Sequence, residues 1–382
     1  MTTSVSEDRA SATPDPEPSA ARQVEFVHSF LQAITAKGGG SARKGTDPAR
    51  TDRFARTLDD YGFDYTLLGY SSDGADPFSI ASRVLARTER LKTIVALRPN
   101  ICHPTVAAQA LTTLDHLSGG RTIVHVISGG SDAEQRRQGD YLPKSERYAR
   151  SAEYIEILRR VWREDAPFSH HGDHYRFEEF GPGSQPLSGG PLPISIGGAS
   201  DEAFDVGSRL ADIFTLWGEP LKETAEQIHR VRTLAAAAGR DPSEIRFWVT
   251  FRPVVAETDE LAWRKAERLV ERSAGRLWPT NDTKREPRTN VGSVRLQEIA
   301  EQSEHHDTAL WMPRSIAGAG GASSLLVGSP DTIATAIEAY VRLGADIVSL
   351  PSAGDLDGAV DTGRYIIPLV RERLAAAAAA GR

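Results

Sequence analysis

The sequence predicts an α/β fold: a (β/α)8 TIM barrel with insertion segments, preceded by a disordered tail. Two observations carry this reading. From about Val24 onward, short apolar, β-rich runs alternate with helical patterns, and the runs number eight. A doubly wound sheet requires no such count, whereas a closed barrel does.

The runs lie at 24–30, 65–70, 93–97, 122–128, 192–196, 213–217, 247–255 and 347–350. Before the first, residues 1–22 are rich in Ser, Pro, Asp and Glu and lack the basic start and apolar stretch of a secretion signal, so they read as a disordered tail in a cytoplasmic protein. Between the strands, Tyr154, Ile155, Leu158, Val161 and Trp162 fall on one face of a helix. Pro48, Pro77, Pro104, Pro220 and Pro330 sit near helix starts, where a missing N–H costs least. Two connections, 167–191 and 276–327, exceed ordinary barrel loops. The second closes in Ala317-Gly-Ala-Gly-Gly-Ala-Ser-Ser324, a composition suited to a mobile lid. The expected organisation is a tail at 1–22, one barrel domain at 23–372 with a lid insertion around 276–327, and a frayed end at 373–382.

Composition narrows the function. The chain has 382 residues and a formal charge of −7, with no basic footprint for nucleic acid. No apolar run approaches the roughly 20 residues that span a bilayer. Cys102 is the single cysteine, which excludes an internal disulfide, a CxxC pair, an iron–sulfur cluster and a thiolate zinc site, and reads as a small core residue.

In a barrel the working face is the C-terminal end of the strands. No two acids stand there as a glycosidase requires, and the histidines do not converge there as metal ligands would. His170, His171 and His174 read as a solvated hairpin rather than a metal site. No G-x-S-x-G elbow occurs. Side-chain chemistry is sparse, so a cofactor is expected to carry the reaction. The strongest cofactor signal is Pro193-Ile-Ser-Ile-Gly-Gly-Ala-Ser200, an apolar strand running into small residues and then a helix. Bare backbone and a helix N-terminus suit a phosphate. The dinucleotide and P-loop patterns are absent.

Several stretches together resemble the bacterial luciferase-like flavin monooxygenases, and most closely the branch that cleaves alkanesulfonates with reduced FMN. They are Val95-Ala-Leu-Arg-Pro99, Pro104-Thr-Val-Ala-Ala108, Thr113-Leu-Asp-His-Leu-Ser-Gly-Gly-Arg121, Ser145-Glu-Arg-Tyr148, Ile196-Gly-Gly-Ala-Ser200, Thr215-Leu-Trp-Gly-Glu-Pro220 and Leu326-Val-Gly328. The resemblance implies the barrel that the strand count predicts independently. It also implies FMN, its phosphate held by Gly197, Gly198, Ala199 and Ser200 with Arg147 and Tyr148 nearby, and its ring flanked by Leu97 and Ser128. Trp217 would line the reacting face, and Arg98, Arg252 and Arg314 are the candidate anion contacts. Asp115 and Arg121 are assigned to structure, as a helix-end pair.

The same resemblance implies a two-component reaction. A separate NAD(P)H:FMN reductase supplies FMNH2, O2 forms a flavin peroxide, and an alkanesulfonate or related organosulfur substrate is cleaved to aldehyde and sulfite. It further implies a homodimer or homotetramer. Four positions depart from the alkanesulfonate branch. Its active-site cysteine is replaced by Asp73-Gly74-Ala75, its Arg-x-His by Thr250-Phe-Arg252, its lid arginine by Ala319 or Gly320, and its strand-eight tyrosine by Ala353. Three alternatives stay open: an F420-dependent oxidoreductase, a flavin-binding protein without turnover, and a metal-dependent barrel hydrolase.

Overall fold

The computed structural model describes residues 23–30, 46–181, 183–273, 290–318, 323–352 and 356–380. The expected tail at 1–22 and the positions Ala319, Gly320 and Ala353 lie outside them. In chain order the strands are β1 (Glu25–Ser29), β2 (Tyr65–Leu68), β3 (Lys92–Leu97), β4 (Thr122–Val126), β5 (Phe168–His171), β6 (Arg176–Phe180), β7 (Ile194–Gly197), β8 (Ile213–Trp217), β9 (Arg246–Thr250), β10 (Arg252–Val255), β11 (His305–His306), β12 (Leu310–Trp311), β13 (Leu325–Gly328) and β14 (Ala345–Ser349). The helices are α1 (Pro48–Asp60), α2 (Pro77–Leu85), α3 (Pro104–Ser118), α4 (Asp132–Arg136), α5 (Lys144–Arg163), α6 (Asp201–Leu210), α7 (Leu221–Ala237), α8 (Asp259–Ser273), α9 (Val291–Gln302), α10 (Pro330–Leu343), α11 (Leu356–Asp361) and α12 (Ile367–Ala380).

Eight strands close into a barrel in the order β1-β14-β9-β8-β7-β4-β3-β2, every neighbouring pair parallel. Each of the eight runs read from the sequence supplies one of them, seven of them with shifted ends. Successive side chains on a strand point to opposite faces, and this sorts the apolar residues into two layers. Val27, Tyr65, Ile94, Ile123, Ile213, Trp248 and Ile347 fill the barrel interior. Their outward neighbours, such as Phe26, Val95, Val124 and Phe247, pack against the helices. On α5 the predicted face, from Tyr154 to Trp162, is fully buried there. Asp47, Asp76, Ser200 and Ser329 cap α1, α2, α6 and α10 by accepting first-turn N–H bonds, each cap contributing about 1 kcal/mol. Pro48, Pro77, Pro104 and Pro330 take the first helical position, and Pro220 caps α7.

Three expectations are corrected. The run at 247–255 is two strands, because Phe251 N–H bonds the Ser349 carbonyl of the barrel at 2.9 Å while Arg252 N–H bonds Ser324 of the insertion at 2.8 Å. β10 therefore leaves the barrel and joins β13, β12 and β11 in a separate four-stranded sheet. Much of the expected lid is packed structure: Leu296, Ile299, Leu310 and Met312 enter the main core, and Trp311 and Leu325 form a second cluster with α8. At the C-terminal end, α12 runs through the alanines to Ala380. Asp115 and Arg121 are structural but not paired: Asp115 accepts from Leu187 N–H at 2.9 Å, and Arg121 donates to the Leu85 and Leu91 carbonyls at 2.9 and 2.8 Å. The segment 167–191 contains the β5–β6 hairpin.

Candidate active site

The upper interior of the barrel is where side chains stop filling the space. On β4, His125 and Ile127 share the inward face of Ile123, and on β8, Thr215 and Trp217 share that of Ile213. These residues, with Gly197 and Arg252, keep partial exposure, whereas their outward neighbours Val126, Ile196, Leu216 and Phe251 have essentially none. The result is a hollow opening at the C-terminal ends of the strands, the end that bears active sites in this architecture.

A polar layer floors it. The His125 imidazole Nδ1 lies 2.9 Å from Ser195 Oγ, which lies 3.0 Å from Thr215 Oγ1, and the His125 ring sits over Trp248 at 5.8 Å. Burial pushes His125 down to about 4, so the ring is neutral at physiological pH. Sequence reasoning missed His125. Its signal was a lone histidine on the inward parity of an apolar strand.

On one side of the hollow, β7 runs into α6. Gly198 has φ 148, and a Cβ there would lie 2.7 Å from Ala203 Cβ and 2.9 Å from Tyr148 Oη. A Cβ on Gly197 would meet the Thr215 carbonyl at 2.8 Å. Only glycine fits either position, and the backbone is left bare beside the α6 N-terminus. Tyr148 reaches this cradle from α5; its hydroxyl hydrogen-bonds Ser200, and burial pushes its phenol up. The two acids of the first turn of α6 are paired, Asp201 with Arg230 at 2.6 Å and Glu202 with Lys144 at 3.3 Å. A small anion such as a phosphate therefore finds bare amides, a helix dipole, two hydroxyls and a nearby ammonium at 197–200.

Three members of the predicted cofactor set have their side chains engaged elsewhere. Arg147 turns into the β4–α5 connection, donating to the Ser128 carbonyl at 3.0 Å and the Leu142 carbonyl at 2.7 Å and pairing with Asp132 at 2.9 Å. The Leu97 side chain is buried in the outer core, and the Ser128 hydroxyl bonds Ser151 of α5 at 2.8 Å.

The three arginines separate. Arg252 opens β10 where the chain leaves the barrel; its Nη1 donates to the Phe251 carbonyl at 3.4 Å, and burial pushes its guanidinium down to about 9. Arg98 stands across the ring on β3; Glu134 answers its charge at 2.5 Å, it lies over the Tyr70 ring at 4.9 Å, and its Nε and Nη1 are buried without a partner. Arg314 stands at the C-terminus of α9. It is exposed on the insertion and donates to the Ala300 and Glu301 carbonyls at 3.2 Å each, closing the C-terminus of α9. A cation satisfies orphan carbonyls there.

Behind the wall, His28 is locked by its neighbours. Nδ1–H donates to the Ser29 carbonyl at 2.9 Å, so Nε2 accepts from Ser352 N–H at 3.0 Å and from its hydroxyl at 3.1 Å. Burial, with Arg252 adding to it, pushes His28 down to about 3. A histidine depressed in the folded state contributes stability that is full above its unfolded value near 6.5 and is lost as pH falls toward the folded one. Each pH unit below about 6.5 should cost roughly 1.4 kcal/mol from His28. Urea unfolding from pH 7 to 4.5 measures this, and His28→Asn should show a shallower slope.

A cavity of about 360 Å3 lies beside the mouth, between the β3–α3 turn, the α4–α5 connection and the hairpin. Cys102 lines it, half-buried rather than in the core as expected, and burial pushes its thiol up. None of the cradle residues reaches this cavity. In the hairpin, His170 bonds Glu153 at 3.0 Å and stacks on Phe177. Among the described residues, no group of three or more His, Cys, Asp or Glu is placed to hold a metal ion, and no helix is long and apolar enough to cross a membrane.

A closed (β/α)8 barrel with a glycine turn at the end of one strand defines an α/β-barrel protein. Residues 25–346 match the luciferase-like monooxygenases, and the chain belongs to that family. Among solved structures, the EDTA monooxygenase EmoA from Chelativorans sp. BNC1 is similar at 18% identity and TM-score 0.75, over 92% of this chain and 94% of that one. Riboflavin lyase RcaE, solved with modified FMN and riboflavin, is similar at 19% identity and TM-score 0.72, over 92% of each chain. The coenzyme F420-dependent tetrahydromethanopterin reductase from Methanopyrus kandleri is similar at 16% identity and TM-score 0.67, over 91% of this chain and 99% of that one.

Proposed function

We propose that this chain is the oxygenase of a two-component system: it takes reduced FMN from a separate NAD(P)H:FMN reductase and uses O2 to oxidise a small organic anion. The substrate class is an alkanesulfonate or related organosulfur compound, cleaved at C–S to aldehyde and sulfite. The observation that supports the reading is a glycine cradle at the α6 N-terminus of the barrel, with the cation Arg252 buried where the chain leaves the ring after β9.

The cradle fits a flavin phosphate because neither Gly197 nor Gly198 has room for a side chain, so bare backbone is presented at the α6 N-terminus. Gly197, Gly198, Ala199 and Ser200 would hold it by backbone amides, with the Tyr148 hydroxyl beside them. When bound, reduced FMN supplies the electrons that activate O2. The backbone at Leu97 and Ser128 flanks the ring, and Trp217 covers the reacting face and keeps water out. Arg252 binds the anionic head group and balances charge that develops on the leaving sulfite. Arg98, already answered by Glu134, directs its two free N–H groups to a neutral acceptor. In this reading the chain forms a homodimer or homotetramer, which light scattering measures directly.

The test is an anaerobic titration of the purified protein with FMNH2, oxidised FMN and reduced F420, followed by O2 and 1-octanesulfonate. Tight binding of FMNH2 and O2-dependent sulfite release are expected. Preference for F420 without O2 uptake would replace the reading with hydride transfer, a class of cofactor use found on the same barrel. FMN binding with no O2-dependent product from any sulfonate or sulfone would leave a flavin carrier.

A further inference from the structure

We infer that Glu219 and Arg295 are a positioning pair that holds the Trp217 ring at the barrel mouth. The inference rests on the reading above, in which Trp217 lines the reacting face. Glu219 stands two residues after Trp217, its side chain only 3% exposed. Arg295 of α9 brings Nε within 2.9 and 2.8 Å of the two carboxylate oxygens, and Gln227 of α7 donates to the second at 2.8 Å. Burial pushes the Glu219 carboxyl up, and Arg295 and Gln227 pull against it.

The backbone of the same turn is held as closely. The Glu219 carbonyl accepts from Tyr340 Oη at 2.8 Å and Thr224 Oγ1 at 3.0 Å. The Gly218 carbonyl accepts from the Ser324 hydroxyl, and Leu221 N–H donates to Asp307 at 2.9 Å. Residues 217–221 are thus gripped by α7, by α10 and by three separate parts of the insertion.

Gly292 connects this grip to the ring. It precedes Arg295 by three residues on α9, so both present to the same side of the helix. A Cβ at Gly292 would lie 2.7 Å from Trp217 Cζ3 and 2.9 Å from Cε3. The helix backbone itself is therefore the surface against which the indole rests. Where Arg295 meets Glu219 determines where that surface stands. A buried ion pair is weak evidence for stability, and here its geometry accounts for the placement of a neighbouring ring.

The experiment isolates Trp217 emission as the difference between each protein and its Trp217→Phe counterpart, measured without cofactor. In Arg295→Gln and in Gly292→Ala this emission should shift to the red and weaken, with partial recovery in Arg295→Lys, which restores the charge but not the planar fork. With FMNH2, O2 and 1-octanesulfonate, kcat should fall about 10- to 100-fold with KM nearly unchanged, the cost of a displaced group at a reacting centre. Unchanged Trp217 emission in folded Arg295→Gln overturns the inference, and if that variant does not fold, unchanged emission in Gly292→Ala does so. If Trp217→Phe itself leaves turnover intact, the assignment of Trp217 to the reacting face fails, and emission alone still decides whether the pair positions the ring.

Discussion

A valine at Gly198 is expected to weaken FMN binding by about 100-fold or more, equivalent to about 2.7 kcal/mol. Two physical terms act together. The residue sits at φ 148, where a β-branched side chain is strained, and its first carbon would lie 2.7 Å from Ala203 Cβ and 2.9 Å from Tyr148 Oη. Either the strand end or Tyr148 must move, and both lie where the phosphate is proposed to bind. Quenching of FMN fluorescence measures the dissociation constant. Gly181→Ala is the control, because a Cβ there meets nothing within 4 Å, and its FMN affinity should equal the wild type. An unchanged constant in folded Gly198→Val would move the phosphate site away from 197–200.

Arg252→Ala should lower kcat/KM for a sulfonate by about 100-fold or more, the usual scale for losing one member of a buried charge contact. FMN affinity should be nearly unchanged, because the cradle ends β7 of the barrel whereas Arg252 opens β10 of the separate sheet. The pH dependence has a definite sign. Burial pushes Arg252 down to about 9, so it is cationic at neutral pH and loses its proton as pH rises through about 9. KM for the anion should then climb by about tenfold per pH unit above that value, and Arg252→Gln should show no such limb. Initial rates from pH 7 to 10.5 with saturating FMNH2 test this. A flat KM in the wild type would remove Arg252 from the anion site and leave the flavin reading untouched.

Particular residues explain how far the sequence could be read. The eight barrel strands were legible because each is a short β-rich run bounded by turn residues, and Ile213–Trp217 matches its predicted run at both ends. The cradle was legible because glycines followed by a capped helix are a local signal, contained within Pro193 to Ala203. Arg314 misled because its role depends on α9, which lies at 291–302 in sequence but is closed by a side chain from beyond two further strands. Arg147 misled for a related reason. One residue before Tyr148 on a helix points about 100° away, into carbonyls of a different loop.

By itself, the sequence determined the barrel, its strand count, the helix starts and the glycine turn into α6, because each rests on periodicity, propensity or backbone freedom within a few residues. Only the tertiary structure decided which side chains share the mouth. It set Arg252 at the point where the chain leaves the barrel, placed His125, Ser195 and Thr215 from three strands in one hydrogen-bonded layer, and packed Leu296, Ile299, Leu310 and Met312 of the insertion into the main core. It also joined Glu219 to Arg295 across 76 residues of sequence. Such contacts depend on strand parity and closure of the ring, properties of the whole fold that no local pattern encodes.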